Sequence, residues 1–134
     1  RARRARPLVL SVDDSLINQT VVECMLGKTC DIEMYVDGRS AIEYLEACRA
    51  ELPDVVILDI MMPEISGIDV CRHIRQVMGL AAEVLPVVLV SANSSEALWA
   101  KALASGCNAH FVSPMDKRKL QAYVEVVVGA SGDN

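Results

Sequence analysis

Short apolar runs alternate along the chain with longer stretches whose apolar residues recur every three or four positions. Leu8–Val12, Ile32–Val36, Val55–Leu58, Val87–Val90 and Ala109–Val112 are runs of four or five mostly apolar residues, the length of buried strands. Between them the period becomes helical. Ile17, Val21, Cys24 and Met25 fall on one face of a helix that Asp14 or Ser15 is placed to cap. Ala41, Ile42, Leu45 and Cys48 mark a second helix, and Ile68, Cys71, Ile74, Arg75 and Met78 a third. Ser94 or Ser95 caps a fourth, which runs through Ser105 and stops at Gly106, and a fifth spans about 116–128. Asp37-Gly38 reads as a turn, and Pro63 and Gly67 bracket a loop. Pro53, Pro86 and Pro114 punctuate strand ends. Five strands alternating with five helices, with strands apolar on both faces, predict a doubly wound α/β domain around a parallel sheet. No internal repeat, low-complexity tract or second domain is visible.

The 134 residues are 52% hydrophobic and 23% charged. That suits one domain with its own core and excludes a disordered chain. The apolar runs fall far short of the ~20 residues of a spanning helix, so no membrane contact is expected of this domain. No secretory leader is expected from the basic start. The chain opens on Arg1 rather than Met and is expected to be a piece of a longer protein. Net charge is −5, yet Arg1, Arg3, Arg4 and Arg6 crowd the first residues. The remaining body is strongly acidic and a poor fit to nucleic acid. Residues 1–7 are therefore read as a solvated basic linker remnant, 8–128 as the domain and 129–134 as a flexible tail. The five cysteines, Cys24, Cys30, Cys48, Cys71 and Cys107, contain no CxxC pair. They read as reduced thiols of a cytoplasmic protein, with a nuclear location left open. Cys30 and Cys107 lie near predicted loops, but nothing else points to a redox role.

Open α/β sheets place their chemistry at the carboxyl ends of strands. Asp13 and Asp14 follow the first strand, Asp59 the third, Ser91 with Ala92 and Asn93 the fourth, and Ser113 with Pro114 the fifth. Helix capping accounts for one of the paired aspartates, not for both, and leaves Asp59 unexplained. Asp59 sits between Val55-Val56-Ile57-Leu58 and Ile60-Met61-Met62, where a charge without a purpose is costly. Three convergent carboxylates raise one another's pKa unless a cation lies among them. A hard divalent ion such as Mg²⁺ suits oxygen ligands in a partly hydrated site. Beside such an ion a carboxylate can attack phosphorus and form an aspartyl phosphate. The Ser91 hydroxyl and the Ala92 N–H are placed to donate to the transferred group.

The sequence resembles the receiver domain of two-component response regulators. The matching pieces are Ser11-Val12-Asp13-Asp14-Ser15, Ile57-Leu58-Asp59-Ile60-Met61-Met62-Pro63 with Gly67 after it, Ser91-Ala92, and Pro114. They occur in order over about residues 8–128. Any one alone is weak, and the set is specific. Val12-Asp13-Asp14-Ser15-Leu16-Ile17-Asn18 is similar to receivers fused to hybrid histidine kinases. The resemblance implies a (βα)5 flavodoxin-like fold with strand order 2-1-3-4-5.

It further implies that Asp59 accepts a phosphoryl group from a histidine kinase or histidine phosphotransfer protein. Mg²⁺ would be held by Asp14, by Asp13 through water, by Asp59 and by the Met61 carbonyl. Ser91 would shift towards the phosphoryl group, and the face of the fourth helix, fifth strand and fifth helix would pass the change to an output domain or a further receiver partner. Met61 and Asn93 fall where access of hydrolytic water is tuned. Two positions depart from the pattern. Ser113 stands where the family nearly always has Lys, and it supplies no charge. Lys117 is expected in solvent on the last helix. His110 stands at a switch position that usually holds Tyr or Phe. Trp99 falls outside the best apolar phase of its helix, in the core or on a partner face. The leading expectation is a phosphorylation-switched receiver that promotes its own phosphotransfer and turns over no substrate. The alternative is a pseudo-receiver, a phosphorylation-independent interaction module with Ser113 as its mark. A phosphatase-like hydrolase is disfavoured, because Met61 cannot serve as its general acid.

Overall fold

The computed structural model describes residues 5–93 and 95–132, with side chains to 129. Five parallel strands form one sheet in the order β2-β1-β3-β4-β5. They are β1 (Leu8–Val12), β2 (Asp31–Tyr35), β3 (Val55–Asp59), β4 (Val87–Ser91) and β5 (Ala109–Val112). The helices between and after them are α1 (Leu16–Leu26), α2 (Gly38–Ala47), α3 (Gly67–Arg72), α4 (Glu96–Ala104) and α5 (Lys117–Gly132). This is the predicted doubly wound parallel sheet, in the expected strand order.

Strand position in the sheet decides how apolar a strand must be. β1, β3 and β4 are interior and almost wholly buried. β2 and β5 are edges and only half covered, which is why Asp31, Glu33 and His110 are accommodated there. Successive side chains point to opposite faces. Leu10, Val56, Leu58 and Leu89 thus pack against α2, α3 and α4, while Val9, Val55, Ile57 and Val88 pack against α1 and α5.

The face of α1 differs from the predicted one. Gln19, Val22 and Leu26 are its buried residues, and Ile17 is 77% exposed. A polar side chain sets this phase. Gln19 Nε2 donates to the carbonyls of Ser11, Asp13 and Tyr35 at 3.3, 3.2 and 2.9 Å, and its Oε1 accepts from Ser11 Oγ at 2.7 Å. These bonds satisfy a buried amide and fix the carboxyl end of β1.

Asp37-Gly38 is a helix start rather than a free turn: Asp37 Oδ1 accepts from Ser40 N–H at 2.7 Å. Ser15 and Ser95 cap α1 and α4 in the same way. The alternative cap, Ser94, lies outside the described residues. Helix α3 continues into a wider π-type turn over His73–Val77. That turn carries Arg75, the charged member of the predicted inward stripe. Arg75 donates to the carbonyls of Gly106, Leu80 and Leu85 at 2.9, 3.0 and 2.9 Å, and to Asn108 Oδ1 at 2.8 Å. It thereby ties α3 to the starts of β4 and β5.

At the N-terminal edge Arg6 is engaged rather than solvated. It donates to the carbonyls of Gly27 and Cys30 at 2.6 and 2.8 Å and pairs with Asp31 at 3.3 Å. Arg1, Arg3 and Arg4 lie outside the described residues. Helix α5 reaches Gly132, past the expected end at Val128 and into the stretch read as a tail. All five cysteines are free thiols, and burial pushes those of Cys71 and Cys107 up, away from the reactive thiolate. No helix among the described residues is long and apolar enough to cross a membrane.

Candidate functional site

Strands β1 and β3 are hydrogen-bonded neighbours and end level with each other. Their carboxyl ends bring Asp13, Asp14 and Asp59 together, with one carboxylate oxygen of each within 4.8 Å of the others. Local structure holds each in place. Asp13, 9% exposed, accepts the Ser15 N–H at 2.9 Å. Asp59 Oδ1 accepts the Met61 N–H at 3.2 Å. Asp14 is exposed at the rim.

Gly67 sits against the backbone of Asp59. A Cβ there would collide with the Asp59 carbonyl oxygen, so only glycine lets the start of α3 approach this closely. Glu64, in the loop between them, holds a φ of +65°. That left-handed region costs a non-glycine residue about 1–2 kcal/mol.

The electrostatics follow from the crowding. Burial, then the neighbouring Asp13 charge, push Asp59 up to about 7. Asp13 is raised as well, by burial, while the Ser15 N–H and the Asn18 side chain hold it back. The mutual hydrogen bond favours the proton on Asp59 and the charge on Asp13. Such a set is starved of positive charge, and all its donors are oxygens. It fits a hard divalent cation of the Mg²⁺ class, with Asp13, Asp14 and Asp59 as ligands.

The β4 and β5 ends meet this set differently. Ser91 is buried, and its Oγ accepts the Asn93 N–H at 3.0 Å, leaving the hydroxyl proton to donate. Ala92 follows at the exposed strand end. The Ser113 N–H donates to the Ser91 carbonyl at 2.9 Å, so the two serines are tied through the backbone. Ser113 lines a cavity together with Asp13 and Asp59. Lys117 is exposed on the first turn of α5 and is not part of that lining.

His110 and Trp99 are set apart from the carboxylates but together. Their rings stack at 4.1 Å with 23° between planes. Trp99 packs its other contacts against the α2–α3–α4 core layer, which explains its phase. Sequence reasoning missed Asn18 and Gln19, which support Asp13 from α1. A polar residue in step with Val22 and Leu26 was the available signal.

Comparison with known proteins agrees with this geometry. A family model described as the response regulator receiver domain matches residues 9–125. The transcriptional regulatory protein AfsQ1 of Streptomyces coelicolor is 30% identical over 91% of this chain and 51% of its own length. The DNA-binding response regulator MtrA of Mycolicibacterium paratuberculosis is 32% identical over 97% of this chain and 54% of its own. The chain spans about half the length of these curated relatives. Among solved structures, the receiver domain of sensor histidine kinase PA1611 from Pseudomonas aeruginosa aligns with a TM-score of 0.78 at 27% identity, covering 93% of this chain and 99% of that one. It carries a magnesium ion coordinated in its active-site cleft. The chemotaxis protein CheY4 of Vibrio cholerae aligns with a TM-score of 0.78 at 25% identity, covering 92% of this chain and 99% of that one.

Proposed function

This chain belongs to the response regulator receiver domain family, and from that premise we propose that it is a phosphoacceptor switch of a two-component phosphorelay. The observation that carries the reading is the convergence of Asp13, Asp14 and Asp59 at the ends of β1 and β3. An Asp59 carboxylate oxygen attacks the phosphorus of a phosphohistidine. The O–P bond forms as the P–N bond breaks, and the imidazole leaves with the electron pair and takes up a proton. Asp13, Asp14, Asp59 and the Met61 carbonyl would hold Mg²⁺, which supplies charge neutralisation for the carboxylates and the transferring group. Ser91 Oγ–H and the Ala92 N–H donate to the phosphoryl oxygens, and Ser113 adds a hydroxyl where the family has a charge.

The donor is a protein, a histidine kinase or histidine phosphotransfer protein. Leu16 and Met61, 72% and 62% exposed, flank the carboxylates in sequence and favour an apolar docking contact. Movement of Ser91 draws on β4, and the backbone bond to Ser113 carries it towards β5, with Trp99 and His110 on the output face. The match covers about half of each curated relative, and an output domain is the partner assigned here rather than nucleic acid. The domain works in the cytoplasm and turns over no substrate.

Intact mass after incubation with a small phosphodonor tests the reading. A gain of one phosphoryl group that needs Mg²⁺ and is lost in Asp59→Asn is the expected result. No gain either with the donor or with a phosphohistidine protein identifies a pseudo-receiver instead.

A further inference from the structure

Beneath the carboxylates, on the side of the sheet facing α1 and α5, lies a cavity of about 50 Å³. Its two ends differ in chemistry. Val22, Ile57, Val90 and Met115 make an apolar wall. Ile57 precedes Asp59 by two residues and shares its strand face, so this wall continues directly from the carboxylate. Asp13, Asp59 and Ser113 make the polar end, with Ser11 and Asn18 also on the lining. Among the described residues no Lys, Arg or His lines the space.

Size and shape narrow the occupant. One water needs about 10–15 Å³ counted in the same way, so the space suits about four non-hydrogen atoms. A chain of waters would find partners at the carboxylates, Ser11, Asn18 and Ser113 and none along Val22, Ile57 and Val90. A bare metal ion satisfies the carboxylates but leaves the apolar wall without a partner. An amphipathic cation satisfies both ends.

We propose that this cavity binds a primary alkylammonium group. The short unbranched stem lies on Val22, Ile57 and Val90, and the –NH₃⁺ head sits among Asp13, Asp59 and the Ser113 hydroxyl. Two sources offer this chemistry: a small free amine, or a lysine side chain of a partner protein. The binding stands on the cavity alone, and only its effect on Asp59 rests on the phosphoacceptor reading.

Methyl-resolved NMR of the domain, titrated with n-propylammonium, tests the proposal. The expected result is saturable shifts at Val22, Ile57 and Val90. n-Propanol, which lacks the charge, and methylammonium, which lacks the stem, should bind roughly tenfold more weakly or worse. Ser113→Lys, which fills the space from within, should abolish the response, and so should Val22→Phe, which fills it from α1. Equal shifts with n-propanol, no saturation, or an unchanged response in a folded filling variant would overturn it. Titration with Nα-acetyl-lysine amide separates the sources: binding assigns a partner lysine, and exclusion assigns a free amine. In a parallel arm, n-propylammonium should speed Mg²⁺-dependent phosphorylation from phosphoramidate by roughly tenfold in the wild type and not in Ser113→Lys. NMR binding without any phosphorylation overturns the phosphoacceptor reading and leaves the cavity assignment standing. Phosphorylation without NMR binding does the reverse.

Discussion

The two sides of the site are built from the same strand-to-loop geometry and yet differ in charge. The β1–β3 side ends in three carboxylates, two of them raised by burial and mutual repulsion. The β4–β5 side ends in Ser91 and Ser113, neutral hydroxyls joined through the backbone. The first side gathers negative charge and offers carboxylate oxygens that fit a cation. The second has hydrogen-bond donors and no charge. In the function proposed above, binding and attack fall to one pair of strands and response to the bound group mainly to the other. Ser113 belongs to both sides: its backbone is tied to Ser91, and it lines one cavity with Asp13 and Asp59.

The largest expected effect breaks the comparison at its charged side. If Asp14 is the direct Mg²⁺ ligand proposed above, Asp14→Ala should reduce Mg²⁺-dependent phosphorylation on the order of 100-fold. Ser91→Ala removes one neutral donor and should cost about tenfold. Rates from time-resolved intact mass check both. Equal losses from the two variants would mean that the sides share the work and that the contrast drawn above is wrong.

How much of this was legible in the sequence follows from which features depend on local pattern. The carboxylates were, because β1 and β3 are short apolar runs and the residue after each is charged. Site position then follows from α/β topology, while strand order comes from the resemblance to receiver domains. The buried face of α1 was not. Ile17, Val21, Cys24 and Met25 form a plausible apolar stripe, but the helix turns to bring Gln19 inward, where its amide is bonded to three carbonyls. A stripe read by hydrophobicity gives a polar tether no weight. The cavity was also invisible. Its volume comes from how α1, β3 and the segment after β5 pack, although the serine that lines it is plain in the sequence.

A middle-sized effect sharpens the charged side by pH. Asp59 is pushed up to about 7 in the folded domain against an ordinary value of 3.8. The folded state therefore holds more protons than the unfolded state between those values. The associated stability is full below about pH 4 and is lost as pH rises through 7. The site is partly open, and solvent screening reduces the effect to about 1–2 kcal/mol. Metal-free Asp59→Asn should match the wild type in urea unfolding at pH 4 and exceed it by that amount at pH 8. Mg²⁺ at pH 8 should restore the wild type. A pH-independent difference between the two proteins would remove the electrostatic argument.

The smallest expected effect probes the neutral side where it meets the output face. Trp99 is the single tryptophan, and His110 of β5 stacks on it at 4.1 Å. His110→Ala removes that ring contact and should destabilise the domain by about 0.5–1 kcal/mol, with a change in Trp99 emission that marks the loss of the stack. The same emission then reports on coupling. Asp59 and Trp99 stand on different strand-helix units, and the backbone bond between Ser91 and Ser113 links β4 to β5, the strand that carries His110. If movement of Ser91 travels by that bond, phosphorylation should change wild-type emission in the same direction as His110→Ala but to a smaller extent. Emission unchanged by stoichiometric phosphorylation would place the output on another face, and the division between an attacking side and a responding side would then end at Ser91.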